Sequence, residues 1–250
     1  MSQFALDRVI SVAGNYVKDN SIAFIADQIT DPTLSFTSEL EDVVDARGNV
    51  VMQLQGARGA TFGASNAFFN TQILAAQTGG KIKNEAVEFT KYDIVALDGD
   101  KKGVLTAEPK GTAADDFTVY KLEKDNSFTT ATALTATTDY TYATKAITVV
   151  NEGAKEGDKY LVVYQASVTG EHIVAKADAT NELMNVTAEV LLRELCDESL
   201  CFAYIIMRGK MSGEAEWSMT RDGNHGFEIT AMPAYCDADK KLVEVVIVKE

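Results

Sequence analysis

The chain has 250 residues, is 46% hydrophobic and carries a formal net charge of −14 with only two histidines. That length and apolar content suffice for one large core or two modest ones, which excludes a disordered chain. The charge excludes a protein that grips nucleic acid through clustered Lys and Arg, since displacing counterions needs those cations; acidity suits solubility, or a surface that nucleic acid passes without sticking.

The opening MSQFALDRVISVAGNYV lacks a basic region ahead of an uninterrupted apolar run, and no stretch reaches the roughly 18 apolar residues of a membrane span. Synthesis in a cytoplasm with few disulfides is the expectation. Through residue 55, apolar stretches alternate with polar turns. SIAFIADQIT is expected to end at Asp31-Pro32, and ELEDVVDARGNVVMQLQG reads as two strands around an Arg47-Gly48-Asn49 turn. In GARGATFGASNAFFNTQILAAQTGG, Gly56, Gly59 and Gly63 precede Ser65, which fits a helix N-cap. Phe68, Phe69, Gln72, Ile73 and Ala76 then fall at helical spacing until Gly79-Gly80 stops the helix. The glycine spacing matches neither a dinucleotide fingerprint nor a phosphate-binding loop, and reads as a flexible loop that orders against a neighbour.

From about Lys91 to Val168 the character changes. Short β-prone runs are cut by Asp-Asn, Asn-Glu-Gly and Glu-Gly-Asp turns with no helical period, as in a small β module set inside another domain. YDIVAL and GVLTAE flank an Asp98-Gly99-Asp100 turn. A calcium loop is not expected there, because lysines follow and Pro109 stands at the twelfth position, where such a loop needs Glu. Nine threonines between Phe128 and Thr148 suit strands with one face in water. Tyr140, Tyr142, Tyr160 and Tyr164 fit core packing, with a sugar-binding platform as the other reading.

The remainder reads as strands. MNVTAEVLLREL fits helix or strand, and alternation through Val186, Ala188, Val190 and Leu192 favours a strand. LCFAYIIMRG suits a strand buried on both faces, or one covered by a partner subunit. EAEWSMTRDGNHGFEITAMPAY has the form of a hairpin with RDGNHG as its loop and Trp217, Met219, Phe227, Ile229 and Ala231 on one face. KLVEVVIVKE closes the chain as a strand flanked by charges.

No catalytic, cofactor-binding or metal-binding residues are expected. His172 and His225 lack any local frame for a nucleophile, and His225, between Asn224 and Gly226, reads as a solvated turn residue. Glu39/Glu41 and Glu214/Glu216 share strand faces as solvent-side charges. Cys196, Cys201 and Cys236 have no metal-ligand spacing and read as buried free thiols. The acidic excess is greatest at the end, with 8 basic against 15 acidic residues over 169–250.

The pattern from RGKMSGEAEWSMTRDGNHGFEITAMPAY to KLVEVVIV, a hairpin, an acidic turn and a last apolar strand, resembles the end of bacteriophage tail tube (major tail) proteins. ARGATFGASNAFFNTQILAAQTGG looks like the loop-plus-helix element of that fold, and DYTYATKAITVV with GDKYLVVYQA is similar to the Ig-like β modules of phage structural proteins. An insertion in mid-fold departs from the simplest tube proteins. The resemblance implies a mainly β chain: a β-sandwich or partly closed barrel with one short flanking helix over 1–90 and 169–250, and an inserted Ig-like β module over 91–168. It further implies a non-enzymatic virion tail protein that self-assembles into hexameric rings. These stack, with other tail proteins, into a tube that passes DNA without binding it specifically. Contacts between subunits are expected at Arg47, Asn49, Gln53, Gly56, Arg58, Gly59, Phe62 and Ser65. A head decoration protein and an adhesin-like surface-binding module are the alternatives.

Overall fold

In a computed structural model, residues 3–123, 126–127, 132–195, 198–214, 216–221, 223–236 and 238–248 are described. The strands are β1 (Phe4–Tyr16), β2 (Ile22–Ala26), β3 (Ile29–Val44), β4 (Val50–Asn66), β5 (Lys83–Ala96), β6 (Lys102–Val104), β7 (Phe117–Lys121), β8 (Tyr140–Ala143), β9 (Ala146–Val149), β10 (Lys159–His172), β11 (Leu183–Glu194), β12 (Leu200–Met211), β13 (His225–Ala231) and β14 (Val243–Ile247). One α-helix, α1 (Thr71–Thr78), follows β4. The fold is mainly β, as the sequence reads, with antiparallel sheets that do not close into a barrel. The chain divides into two compact units: 1–82 with 173–250, and 83–172.

In the first unit the strands run β2-β1-β11-β12-β13-β4-β3, with β14 also on β12. β2 and β3 are therefore opposite edges, yet only Asp27 and Gln28 separate them in the chain. Three peptide steps reach at most about 11 Å, whereas the edges of a flat seven-strand path stand about 29 Å apart. The sheet has to curl. Phe24 of β2 consequently meets Phe227 of β13 edge-on, ring centres 5.7 Å apart, and Phe62 of β4 lies 6.4 Å from the same ring. Val12, Ile73, Met184, Val186, Ala188, Met207 and Ile229 complete this core. The alternation read in β11 is real, since Met184, Val186, Ala188 and Val190 all point inward.

Several local expectations change. β3 runs through Asp31-Pro32 instead of ending there: its register on β4 skips from Thr30 to Thr33, with Asp31 at φ 49°. A bulge on an edge strand accommodates a proline that has no N–H to offer. Gly56 to Ser65 is strand, not loop. Gly59 and Gly63 pair with Thr37 and Thr33, whose hydroxyls would lie 2.7 and 3.1 Å from any added Cβ, so these glycines make room for cross-strand threonines. Ser65 therefore caps nothing, and Phe68 and Phe69 precede the helix. The Asn66 amide donates to the Phe68 carbonyl, and Asn70 is the N-cap, accepting from the Gln72 and Ile73 amides. Gly79, at φ 64°, ends the helix as expected. The C-terminal hairpin is present only as a short antiparallel contact: Trp217 bridges His225, the Ser218 amide donates to the Asn224 carbonyl and the Gly226 amide to the Glu216 carbonyl, after which β13 pairs with β4 and β12 while Trp217 stacks on Phe69 at 4.1 Å. Met219 is 83% exposed. Cys201 is half-buried and Cys236 exposed, against the expectation of buried thiols; Cys196 lies outside the described residues.

The second unit packs the sheet β5-β10-β7 against the sheet β6-β9-β8. Tyr140, Tyr160 and Tyr164 are buried between them and Tyr142 stacks on Phe117, so these four are core and not a platform for sugar. Tyr164 donates to Asp93 at 2.8 Å; burial, then this carboxylate, pushes its hydroxyl up to about 12. Burial pushes the Asp93 carboxyl up, but hydrogen bonds from Thr106 and Tyr164 outweigh it and hold the group below its ordinary range. Asp98 spends its carboxylate on the amides of Asp100 and Lys102, closing a turn whose two strands, β5 and β6, enter different sheets. Thr129 and Thr130 of the threonine-rich run lie outside the described residues. β5 and β10 pair without a break from Lys83↔His172 to Ala96↔Lys159, so the unit begins and ends on one ladder, wider at both ends than the Lys91–Val168 stretch.

His225 is fully buried at the start of β13, not solvated. The Gln77 amide nitrogen donates to the Gly226 carbonyl, which leaves the Gln77 oxygen to face His225 Nε2 at 2.8 Å. Nε2 must then carry the proton and donate it, and a second proton on Nδ1 would be buried without a partner among the described residues. Burial holds the imidazole below its ordinary value. Because the folded pKa lies below the unfolded one of about 6.5, this contribution to stability is complete above about pH 6.5 and is lost as pH falls through the folded value. Urea unfolding of wild type and His225→Gln from pH 7.5 to 5 is expected to show stability falling toward acid in the wild type and a flatter profile in the variant.

Candidate assembly surface

Beyond the core, β3 and β4 continue as a two-stranded arm. Every residue from Ser35 to Arg58 is exposed. About ten residues per strand at 3.3 Å each make the arm roughly 30 Å long. Its turn is built by Asp45, whose carboxylate accepts from the amides of Arg47 and Asn49, with Gly48 at φ 83°. The hydrogen bonds from the Asn49 amide and side chain, then from Arg47, hold the Asp45 carboxyl below the usual range.

The arm carries exposed apolar side chains on both faces, interleaved with polar ones. Val43 pairs with Met52 and Glu41 with Leu54 on one face; Leu40 pairs with Gln55 and Asp42 with Gln53 on the other. Val51 is 67% exposed and Phe36 65% exposed. Among the described residues, the side-chain bonds Gln53 to Asp42 at 2.8 Å and Gln55 to Ser38 at 3.1 Å tie the strands beyond their ladder. A two-stranded ribbon is marginal in water, and one with apolar groups on both sides has the character of a surface covered by a partner.

Of the residues expected at contacts, Arg47 and Asn49 stand at the tip, and Gln53, Gly56 and Arg58 lie along the arm. Gly59 and Ser65 are half-buried beside β3, and the Phe62 side chain is in the core. Sequence reasoning passed over Leu40, Val43, Val44 and Leu54. Their signal was available: consecutive apolar residues on either side of a turn cannot all face one core.

The two histidines belong to different units, His172 facing Glu85 at 2.9 Å and His225 facing Gln77. Neither is hydrogen-bonded to Ser, Thr or Cys among the described residues, where no cluster of three metal-ligating side chains occurs either. No helix among them is long and apolar enough to cross a membrane. The surface that distinguishes this chain is the arm.

A family model described as the YomU/Tube protein family matches residues 6–241, a span that crosses both units. The chain belongs to the YomU/Tube protein family. The family is one of phage tail tube proteins, a structural family and not an enzyme family. No curated protein matches the chain. For a tube-family chain, a long ribbon with uncovered apolar side chains on both faces is an element that self-association would cover.

Asp45→Ala removes the acceptor that holds the turn. Amide hydrogen exchange is expected to speed up at Arg47 and Asn49 while β11 and β12, deep in the sheet, keep their protection.

Proposed function

We propose that this chain is the tube subunit of a phage tail, closing through self-association into hexameric rings that stack, with other tail proteins, into a hollow conduit for DNA. The observation that carries the reading is the arm of residues 35–58, exposed throughout and with apolar side chains on both faces, in a chain of a tube family. Arg47, Asn49, Gln53, Gly56 and Arg58 belong to that contact, with Gly59, Phe62 and Ser65 supporting its base. The net charge of −14 supports the conduit: an acidic lumen repels phosphates and leaves DNA free to slide. Residues 1–82 and 173–250 form the tube domain, and the inserted Ig-like module stands outside the wall. Ring closure covers the strand edges that a lone subunit leaves open.

Negative-stain electron microscopy with light scattering tests this. Wild type is expected to form rings or tubes, and Val51→Asp with Met52→Asp to remain monomeric with a stability within about 0.5 kcal/mol of wild type, since both sites are exposed. A wild type that stays monomeric at high concentration would remove the reading, and closed shells or trimers would favour a head decoration protein.

The insert offers a second check. Val87 and Val168 face each other across the β5–β10 ladder, so an Asn-Gly turn joining them can replace everything between. Tubes of unchanged diameter but smoother outline are expected, and loss of assembly would place the module in the wall.

A further inference from the structure

The sheet of the first unit forks. β11 occupies one edge of β12; the other carries β13 at Gly209 to Met211 and β14 at Ala203 to Met207, both antiparallel, so β13 and β14 lie in line. β4 pairs with β13 from Thr61 to Asn66, and the same register carried toward the arm would bring it alongside β14. No ladder joins β4 to β14 among the described residues. Gly56 and Ala57 together oppose the single residue Glu39, a bulge that bends β4. Between the arm's base and the start of β14 this leaves a cleft of about 420 Å³, lined by Phe36, Gln55, Arg58, Lys240, Leu242 and Val243.

The cleft presents apolar side chains, open strand edges and two cations, Arg58 and Lys240, on a chain whose net charge is −14. Its complement is on the same molecule. Toward the tip, the arm carries Leu40, Val43 and Val44 among Glu41 and Asp42 on extended strand, with Asp45 opening the turn, all of them exposed. The cleft lies at the level of Ser38, the partner of Arg58. Asp42 and Asp45 are four and seven residues farther out on the continuous strand, roughly 13 and 23 Å, so the tip does not fold back into its own cleft.

We infer that the acidic, apolar end of the arm docks in the Arg58–Lys240 cleft of a second copy of this chain. The inference rests on the self-association proposed above and names the two surfaces that meet. Donor and acceptor are different patches, so the contact is head-to-tail: each copy gives one arm and receives one, and the series closes into a ring or runs on as a filament. Apolar burial along the arm supplies adhesion, and the opposite charges set orientation and register.

Charge reversal on exposed side chains provides the test. Arg58→Glu with Lys240→Glu makes both surfaces acidic; Glu41→Lys with Asp42→Lys makes both basic. Each double variant alone is expected to need about tenfold or more protein to assemble, with a thermal melt like that of wild type. Mixed in equal amounts, they are expected to assemble again, because each variant's arm then matches the other's cleft. Wild-type assembly by either variant alone, or a mixture that stays soluble, would overturn the arm-in-cleft contact while leaving tube formation standing. A wild type that never assembles would overturn both.

Discussion

The shortness of the Asp27–Gln28 connection governs the first unit. Because two edge strands must meet across two residues, the sheet cannot lie flat, and its inner face becomes a pocket that only large apolar side chains can fill. Of the three phenylalanines at its centre, Phe62 and Phe227 sit on the neighbouring strands β4 and β13, whereas Phe24 comes from the β2 edge and reaches Phe227 only because of the curl. Burying each such ring contributes on the order of 2–3 kcal/mol, so the curl and the core sustain one another. α1 fastens the seam: the Asn70 amide donates to the Ile25 carbonyl, and the Ile25 amide donates to Gln72.

The arm follows from the same construction. β3 and β4 are longer than the core beneath them, and past Ser35 and Arg58 no inner face remains to cover. What continues is a ladder whose side chains meet water on both sides, tied at its end by one aspartate. A tightly packed body and a protruding two-faced ribbon divide the labour that stability and association would otherwise contest: substitutions at the tip scarcely touch the core.

Much of this was legible in the sequence, for physical reasons specific to each segment. The alternation in β11 shows one buried face, and Arg47-Gly48-Asn49 announces a turn because glycine enters the left-handed region at little cost. The misreadings share one cause, partners remote in sequence. Glycines at 56, 59 and 63 look like a loop until threonines of β3 are seen lying across two of them. Asp31-Pro32 looks like a stop until the strand proves to be an edge. His225 looks solvated until Gln77, 148 residues away, is seen to accept the hydrogen bond from its Nε2. Exposure on the arm is a different case, since consecutive apolar residues such as Val50, Val51 and Met52 beside a turn cannot all face one core and so mark an uncovered face in the sequence itself.

The continuous pairing of β5 with β10 has a consequence for the chain's history and use. Lys83 and His172 are cross-strand neighbours, only about 5 Å apart between Cα atoms. The host therefore experiences the whole intervening module as a hairpin of near-zero span, whatever it contains. Loop-closure entropy grows only with the logarithm of length, and here the ladder fixes the ends besides. Such a junction is a socket: it can gain, lose or exchange folded cargo without asking the surrounding sheet to adjust, provided the cargo's two ends stand side by side.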